Sequence, residues 1–212
     1  MNRDFRELIE KKWAEGKFVC VGLDSDYETI RRNSPLSSSP DSRVRWPDVS
    51  RTIVNFNKKI VEATKDLVCA YKPNLAFYAA YGNEGVAALK QTIMDIHILA
   101  PDVPVILDAK FADIGNTNAG YVKFAFEYLG ADAVTVNPYL GREALQPFLD
   151  CKNKGIFVLC RTSNPDAGEF QDRDVMLTDD DQVIFFGDEQ EEDKEREEWS
   201  SYLRLYQYIA YK

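Results

Sequence analysis

The amino-acid sequence predicts a parallel α/β fold of the (β/α)8 barrel type, in which about five strand–helix units can be read and the last three strands are missing. Three observations carry this. Short, continuous apolar runs alternate with longer segments of helical spacing, as in a parallel sheet covered by helices. Polar residues recur at the C-terminal end of every apolar run: Asp24, Lys72, Asp108 with Lys110, Asn137, and Arg161 through Ser163. Residues gathered from many strand ends around one mouth are the habit of a closed barrel. The competing solution is an open doubly wound sheet, but the first strand–helix turn lacks G-x-G-x-x-G and no Walker A sequence occurs.

Taken in order, Phe5–Trp13 has helical spacing, and Lys17–Asp24 reads as a buried strand ending in a carboxylate. A Ser- and Pro-rich connector spans 34–47 and reads as linker. Pro47-Asp48 opens a helix from Val49 to about Thr64, with apolar residues at Ile53, Phe56 and Ile60. Leu67–Pro73 is the second strand, and a helix from Glu84 to Leu99 leads to the third, Val103–Lys110. A helix over Thr117–Leu129 ends at Gly130, a residue suited to the left-handed turn that closes helices. Ala133–Pro138 is the fourth strand, Glu143–Asp150 is helical, and Gly155–Cys160 is the fifth strand. Val183–Phe186 reads as a short hairpin edge, and Trp199–Lys212 as one more helix. The whole is expected to be one partial barrel domain, 1–212, interrupted by an acidic insertion over 172–198 that reads as a solvated loop.

Composition narrows the function classes. At 212 residues, 45% of them hydrophobic, the chain is long enough for a substantial core. No run reaches the roughly 18 apolar residues of a membrane span, and the N-terminus opens on charge, so a cytoplasmic protein is expected. The formal charge of −9 argues against a nucleic-acid partner. Cys20, Cys69, Cys151 and Cys160 form no CxxC pair; three of them sit in apolar, strand-like runs and read as reduced structural residues. His97 is the only histidine and lies within a helical run, which disfavours a Ser-His-Asp triad and a multi-histidine metal site.

The segment Asp108-Ala109-Lys110-Phe111-Ala112-Asp113-Ile114-Gly115-Asn116-Thr117 is the most informative. On a strand, Asp108 and Lys110 share a face, and Lys72 ends the preceding strand beside them. Such a cluster is either a salt-bridge network that stabilises the barrel top or a reactive site. A Schiff-base role for Lys110 is disfavoured, because flanking carboxylates favour the ammonium form. A charged, positioned lysine is instead a proton donor, which points to general-acid chemistry at carbon.

These residues closely resemble the signature of the orotidine 5′-phosphate decarboxylase family. Val21-Gly22-Leu23-Asp24 is similar to its first-strand motif, and Tyr71-Lys72-Pro73-Asn74-Leu75-Ala76-Phe77-Tyr78 to the second strand of its bacterial long-form subfamily. Val136–Gly141 and Leu159–Pro165 resemble the fourth and fifth. The resemblance implies decarboxylation of orotidine 5′-monophosphate to UMP in pyrimidine biosynthesis, with no metal and no organic cofactor. It implies Lys110 as proton donor to C6, Asp108 near the departing carboxylate, and Lys72 bridging the acids and a ribose hydroxyl. Asp24 is implied to bind ribose and Ser163 the pyrimidine, while Asp113 and Thr117 reach the substrate of the other subunit in a homodimer with shared sites. The family's phosphate grip lies in loops after the last strands, and Leu205–Lys212 resembles the helix preceding the sixth strand. This polypeptide alone is therefore expected to be weakly active or inactive. Two other readings are open: a Mg²⁺-dependent sugar-phosphate decarboxylase or aldolase built on the same D-x-K-x-x-D core, and a non-catalytic truncated barrel.

Overall fold

A side-chain carboxylate starts the first helix: Asp4 accepts the Glu7 amide at 3.1 Å, satisfying one of the donors that a helix start leaves unpaired, and α1 runs over Phe5–Ala14. The computed structural model describes residues 3–33, 46–186 and 202–212. The connector expected over 34–47 lies outside these up to residue 45, and the acidic stretch lies outside them from residue 187. The chain forms two compact units, Met1–Phe157 and Val158–Lys212.

In the first unit β1 is Val19–Gly22, and α2 (Tyr27–Arg32) is capped by Asp26, which accepts the Thr29 amide at 2.8 Å. Helix α3 (Trp46–Thr64) carries Pro47 in its first turn, where the missing N–H has no intrahelical partner to lose. There follow β2 (Val68–Lys72), α4 (Leu75–Ala79), α5 (Gly82–Leu99) and β3 (Ile106–Phe111). Helix α6 (Gly115–Val122) runs on into a π-helical turn over Lys123–Tyr128, and Gly130, at φ +81°, redirects the chain. Strand β4 (Ala133–Val136), α7 (Arg142–Leu149) and β5 (Gly155–Val158) complete the series.

All neighbouring strands among β1 to β4 for which a register is defined run parallel. β1 pairs with β2, setting Gly22 opposite Lys72, and β3, β4 and β5 lie in that order. Single parallel bridges, Tyr71 to Val105 and Asn74 to Asp108, join β2 to β3. Five strands therefore neighbour one another in chain order. A doubly wound sheet reverses its order at a switch point, and this one does not. The architecture is that of a (β/α)8 barrel, with five of its strands among the described residues.

Successive strand residues point to opposite faces and enter different cores. Leu107 and Val134 join Val49, Ile53 and Val61 of α3 and Leu89, Ile93 and Ile96 of α5 in the larger core beneath the helices. Ile106 and Ala133 pack with Cys69, Ala70, Ile9 and Phe5 on the other face, under α1. The buried stripe of α3 is Val49, Ile53, Asn57 and Val61, at four-residue spacing; Phe56, expected inward, is 40% exposed. Cys69 is buried as its apolar run suggested, but Cys20 is exposed, because β1 pairs with one strand only among the described residues.

The second unit holds α8 (Gly168–Gln171), β6 (Asp174–Met176), α9 (Asp179–Phe186), β7 (Tyr202–Arg204) and α10 (Leu205–Tyr211), with β6 and β7 antiparallel. Two expectations are corrected here. Val183–Phe186 is the end of α9, not a hairpin edge. Thr178 and Asp181 cap this helix reciprocally, the Asp181 amide donating to the Thr178 hydroxyl and the Thr178 amide to the Asp181 carboxylate at 3.2 Å each, and three aspartates occupy its positive end, which overrides the β-preference of Val-Ile-Phe-Phe. The segment expected as one helix to Lys212 opens with β7 among the described residues, and the described part of the acidic stretch carries β6 and α9 where a loop was expected. No helix among the described residues is long and apolar enough to cross a membrane.

Candidate active site

The site is built where β2 and β3 end beside each other. The Asp108 amide donates to Pro73 O at 2.9 Å, which aligns the end of β2 with the middle of β3. Asp108 itself is buried, 8% exposed, yet its carboxylate is fully partnered. Oδ2 accepts from Lys72 Nζ at 3.1 Å; Oδ1 accepts from Lys110 Nζ at 2.6 Å and from the Thr135 hydroxyl at 2.9 Å. Burial pushes this carboxyl up, but the bonds from Lys110, Lys72 and Thr135 outweigh it and hold Asp108 below the usual carboxylate range. Both ammonium groups remain partly open to solvent, with side-chain exposures of 34% for Lys72 and 49% for Lys110. Two cations on one carboxylate give the trio a net positive charge that suits an anionic substrate.

Simple strand alternation does not produce this convergence. Leu107 stands opposite Val134 and Phe111 opposite Val136, so that Asp108, Ala109 and Lys110 all face the single residue Thr135. The strand bulges, and Lys110 takes φ +51°, the one positive value at a non-glycine among the described residues. That conformation costs an L-residue about 1–2 kcal/mol and persists only where the surroundings hold it. The Ala109 and Lys110 amides both donate to Thr135 Oγ1, at 3.0 and 2.9 Å. Sequence reasoning missed Thr135; its signal was a hydroxyl inside the otherwise apolar run Ala133–Val136.

Asp24, Asp113 and Thr117 share no hydrogen bond or ion pair with this trio among the described residues. Asp24 is exposed, two residues beyond β1, and the Leu23 amide donates to Lys72 O at 3.1 Å, which keeps this strand end beside Lys72. A buried polar network grips the chain on both sides of Asp24. Tyr78 donates to Leu23 O at 2.8 Å, Asn57 donates to Tyr78 and to Thr92 at 3.0 Å each, and Ser25 donates to Asn57 Oδ1. Burial pushes the Tyr78 phenol up to about 12, so it stays a donor. Asn57 was also missed, although it stands four residues from Ile53 and from Val61 on the buried stripe.

Asp113 accepts the Ile114 amide at 2.7 Å in the loop after β3, and buried Asn118 ties that loop to α7 by donating to Asp113 O at 2.5 Å and Ala144 O at 2.6 Å. Thr117 is exposed in the first turn of α6. Among the described residues no hydrogen bond or ion pair joins Asp113 or Thr117 to Lys72, Asp108 or Lys110. Ser163 belongs to the second unit, exposed, two residues after Arg161, whose guanidinium grips Asp172 at 2.7 and 2.9 Å. Among the described residues no group of three His, Cys, Asp or Glu side chains is placed to hold a metal ion. The lone His97 lies in α5 with Nε2 at 3.5 Å from Asp132.

A lysine–aspartate–lysine cluster on a parallel barrel is not diagnostic by itself, and comparison with known proteins supplies what geometry cannot. The family model "Orotidine 5'-phosphate decarboxylase / HUMPS family" matches residues 17–197. The chain is similar to the orotidine 5′-phosphate decarboxylase of Thermomicrobium roseum, 51% identical over 172 residues, which is 81% of this chain and 56% of that one. To that of Cellvibrio japonicus it is 42% identical over 178 residues, 81% of this chain and 59% of that one. Its fold is similar to the Leishmania donovani OMP decarboxylase structure, with TM-score 0.69, 30% identity, and 98% of this chain and 63% of that chain covered. It is likewise similar to the Leishmania donovani UMP synthase structure, with TM-score 0.71, 30% identity, and 98% and 36% covered. The chain thus spans a little over half the length of the curated relatives it matches, and the trio of Lys72, Asp108 and Lys110 falls inside the matched region. The parallel strand order, the charged cluster on β2 and β3 and these matches agree: the chain belongs to the orotidine 5′-phosphate decarboxylase / HUMPS family.

Proposed function

We propose that the chain carries the catalytic strand ends of an enzyme that decarboxylates orotidine 5′-monophosphate to UMP. The observation that supports this best is the meeting of two lysines on one buried aspartate, Lys72 at 3.1 Å and Lys110 at 2.6 Å, in a chain of this family. Loss of CO₂ from C6 of the pyrimidine leaves a carbanion with no obvious electron sink. An ammonium fixed beside it stabilises that charge as it develops and then protonates the carbon. Lys110 is that group. The electron pair freed from the C6–carboxylate bond takes its proton, and the lysine regains one from solvent. Asp108 holds the ammonium in place and lies beside the departing carboxylate, and Lys72 bridges Asp108 and a ribose hydroxyl. Asp24 binds the ribose and Ser163 the pyrimidine. In this reading the lysine does the work of both electrophile and acid, so neither metal nor organic cofactor is called upon.

The active form is a homodimer in which Asp113 and Thr117 of one protomer reach the ribose held by its partner. Their position on the loop and first turn after β3, outside the lysine–aspartate trio, fits that division.

The test is incubation with orotidine 5′-monophosphate while the ultraviolet absorbance of the substrate is followed, for the unaltered protein and for Lys110→Ala. Removal of a general acid is expected to lower turnover by on the order of a hundredfold or more. Turnover that survives Lys110→Ala unchanged removes the proposed acid, and turnover abolished by EDTA transfers the case to a metal-dependent reaction.

A further inference from the structure

We propose that Thr135 is the positioning residue of this site: its hydroxyl holds the bulge of β3 that carries Lys110 and at the same time orients the carboxylate of Asp108. For its effect on turnover the inference rests on the decarboxylase reading; for its effect on geometry it does not.

A hydroxyl has one hydrogen to donate and two lone pairs to accept with. At Thr135 all three are committed to three consecutive residues of the neighbouring strand. The Ala109 and Lys110 amides are donors and occupy the lone pairs at 3.0 and 2.9 Å. The hydroxyl proton is left for Asp108 Oδ1, at 2.9 Å, and an ionised carboxylate can only accept it.

The need for such a group follows from the register. Three residues of β3 stand opposite one residue of β4, so the amides of the excess residues have no carbonyl partner in the ladder at that place. An amide partly shielded from water and without a partner is destabilising, and here one side-chain oxygen replaces the missing carbonyls for the two part-buried amides. The same bond fixes the Lys110 backbone at φ +51°, from which the side chain returns to Asp108 at 2.6 Å. Asp108 is thereby held from three strands, by Lys72 of β2, Lys110 of β3 and Thr135 of β4. Valine has the same shape as threonine but can neither accept nor donate, whereas serine keeps the hydroxyl. The pair separates hydrogen bonding from packing.

The experiment uses the full 212-residue chain as Thr135→Val and Thr135→Ser beside the unaltered protein. The Asp108 carboxyl is titrated by carbon-13 NMR, and turnover of orotidine 5′-monophosphate is measured on the same samples. In T135V the Asp108 midpoint is expected to rise, because a bond to the ionised form is gone, and in T135S it stays in place. kcat is expected to fall on the order of tenfold to a hundredfold in T135V with KM within about twofold, while T135S stays within about threefold of the unaltered protein. An Asp108 midpoint that T135V leaves unmoved, or that T135S moves as far as T135V, overturns the proposal. If the unaltered protein does not turn over the substrate, the titration alone decides: separation of T135V from T135S upholds the positioning role, and equal midpoints in the two variants overturn it. If T135V does not fold, amide hydrogen exchange in the unaltered protein decides. Slow exchange at both Ala109 and Lys110 supports the proposal, and fast exchange at either overturns it.

Discussion

Replacing Asp132 by asparagine tests how the start of the catalytic strand pair is held. Asp132 precedes β4 and its side chain is fully buried. It accepts Arg3 Nε at 2.8 Å, Arg3 Nη2 at 2.9 Å and the Val105 amide at 2.9 Å, with His97 Nε2 at 3.5 Å. Arg3 also donates to Pro101 O at 2.5 Å and Val103 O at 2.9 Å, so one ion pair ties the N-terminal segment to the approaches of β3 and β4. Burial pushes the Asp132 carboxyl up, but His97, Arg3 and the Val105 amide together hold it at about 2. The gap from the ordinary value of 3.8 corresponds to roughly 2–3 kcal/mol of stability. Because the folded value lies below the unfolded one, this stability is present above about pH 4 and is lost as the pH falls toward 2. Asp132→Asn removes the charge and replaces one carboxylate oxygen by an NH2 that faces a donor, either Arg3 or the Val105 amide, so a loss of about 2–4 kcal/mol is expected at about pH 5.5. Urea unfolding followed by circular dichroism, for both proteins at about pH 5.5 and about pH 3, is the assay. The difference between them should shrink by roughly half at the lower pH, since the other carboxylates titrate in both proteins and cancel. A difference that is the same at both pH values refutes the reasoning, because the carboxylate charge would then contribute nothing.

Three other outcomes are expected. Tyr78→Phe takes the donor from Leu23 O and the acceptor from Asn57, two buried groups, and is expected to cost about 1–3 kcal/mol by thermal melting; an unchanged melt would mean the network beneath Asp24 holds nothing. Gly85→Ala places a Cβ 1.8 Å from the Tyr78 carbonyl oxygen, which is backbone and cannot yield, so several kcal/mol of destabilisation is expected, and an unaltered urea midpoint contradicts the close approach of α4 and α5. Mixing inactive Lys110→Ala and Asp113→Ala subunits should restore part of the turnover if sites are shared across the dimer; heterodimers that form and stay inactive count against sharing.

Much of the site could be read from sequence because the information was local. Lys72 ends one apolar run, and Asp108 with Lys110 ends the next, and charges in such places have few readings. The five strands β1 to β5 and helices α1, α3, α5, α6 and α7 follow the sequence expectation closely, while the short helices α2 and α4 were not read, since continuous apolar runs and helical spacing are properties of windows longer than one or two turns. The expected reason for the contact between Asp108 and Lys110 was nevertheless incomplete. Alternation put them on one face, whereas the structure brings them together through a bulge whose cause lies 25 residues onward, at Thr135.

What the sequence by itself determined, then, is the order of the five strands, the family and the three charged residues on β2 and β3. Only the tertiary structure decided the left-handed turn at Lys110, the grip of Asn57 and Tyr78 around Asp24, the exposure of Cys20 and the helical state of Val183–Phe186. The physical reason is the same for the first three. A hydrogen bond or a strand pairing depends on which distant residue lies alongside, and that neighbour is absent from any local window. The last is a contest within one short segment, where the Thr178–Asp181 cap outweighs the β-preference of the residues it precedes.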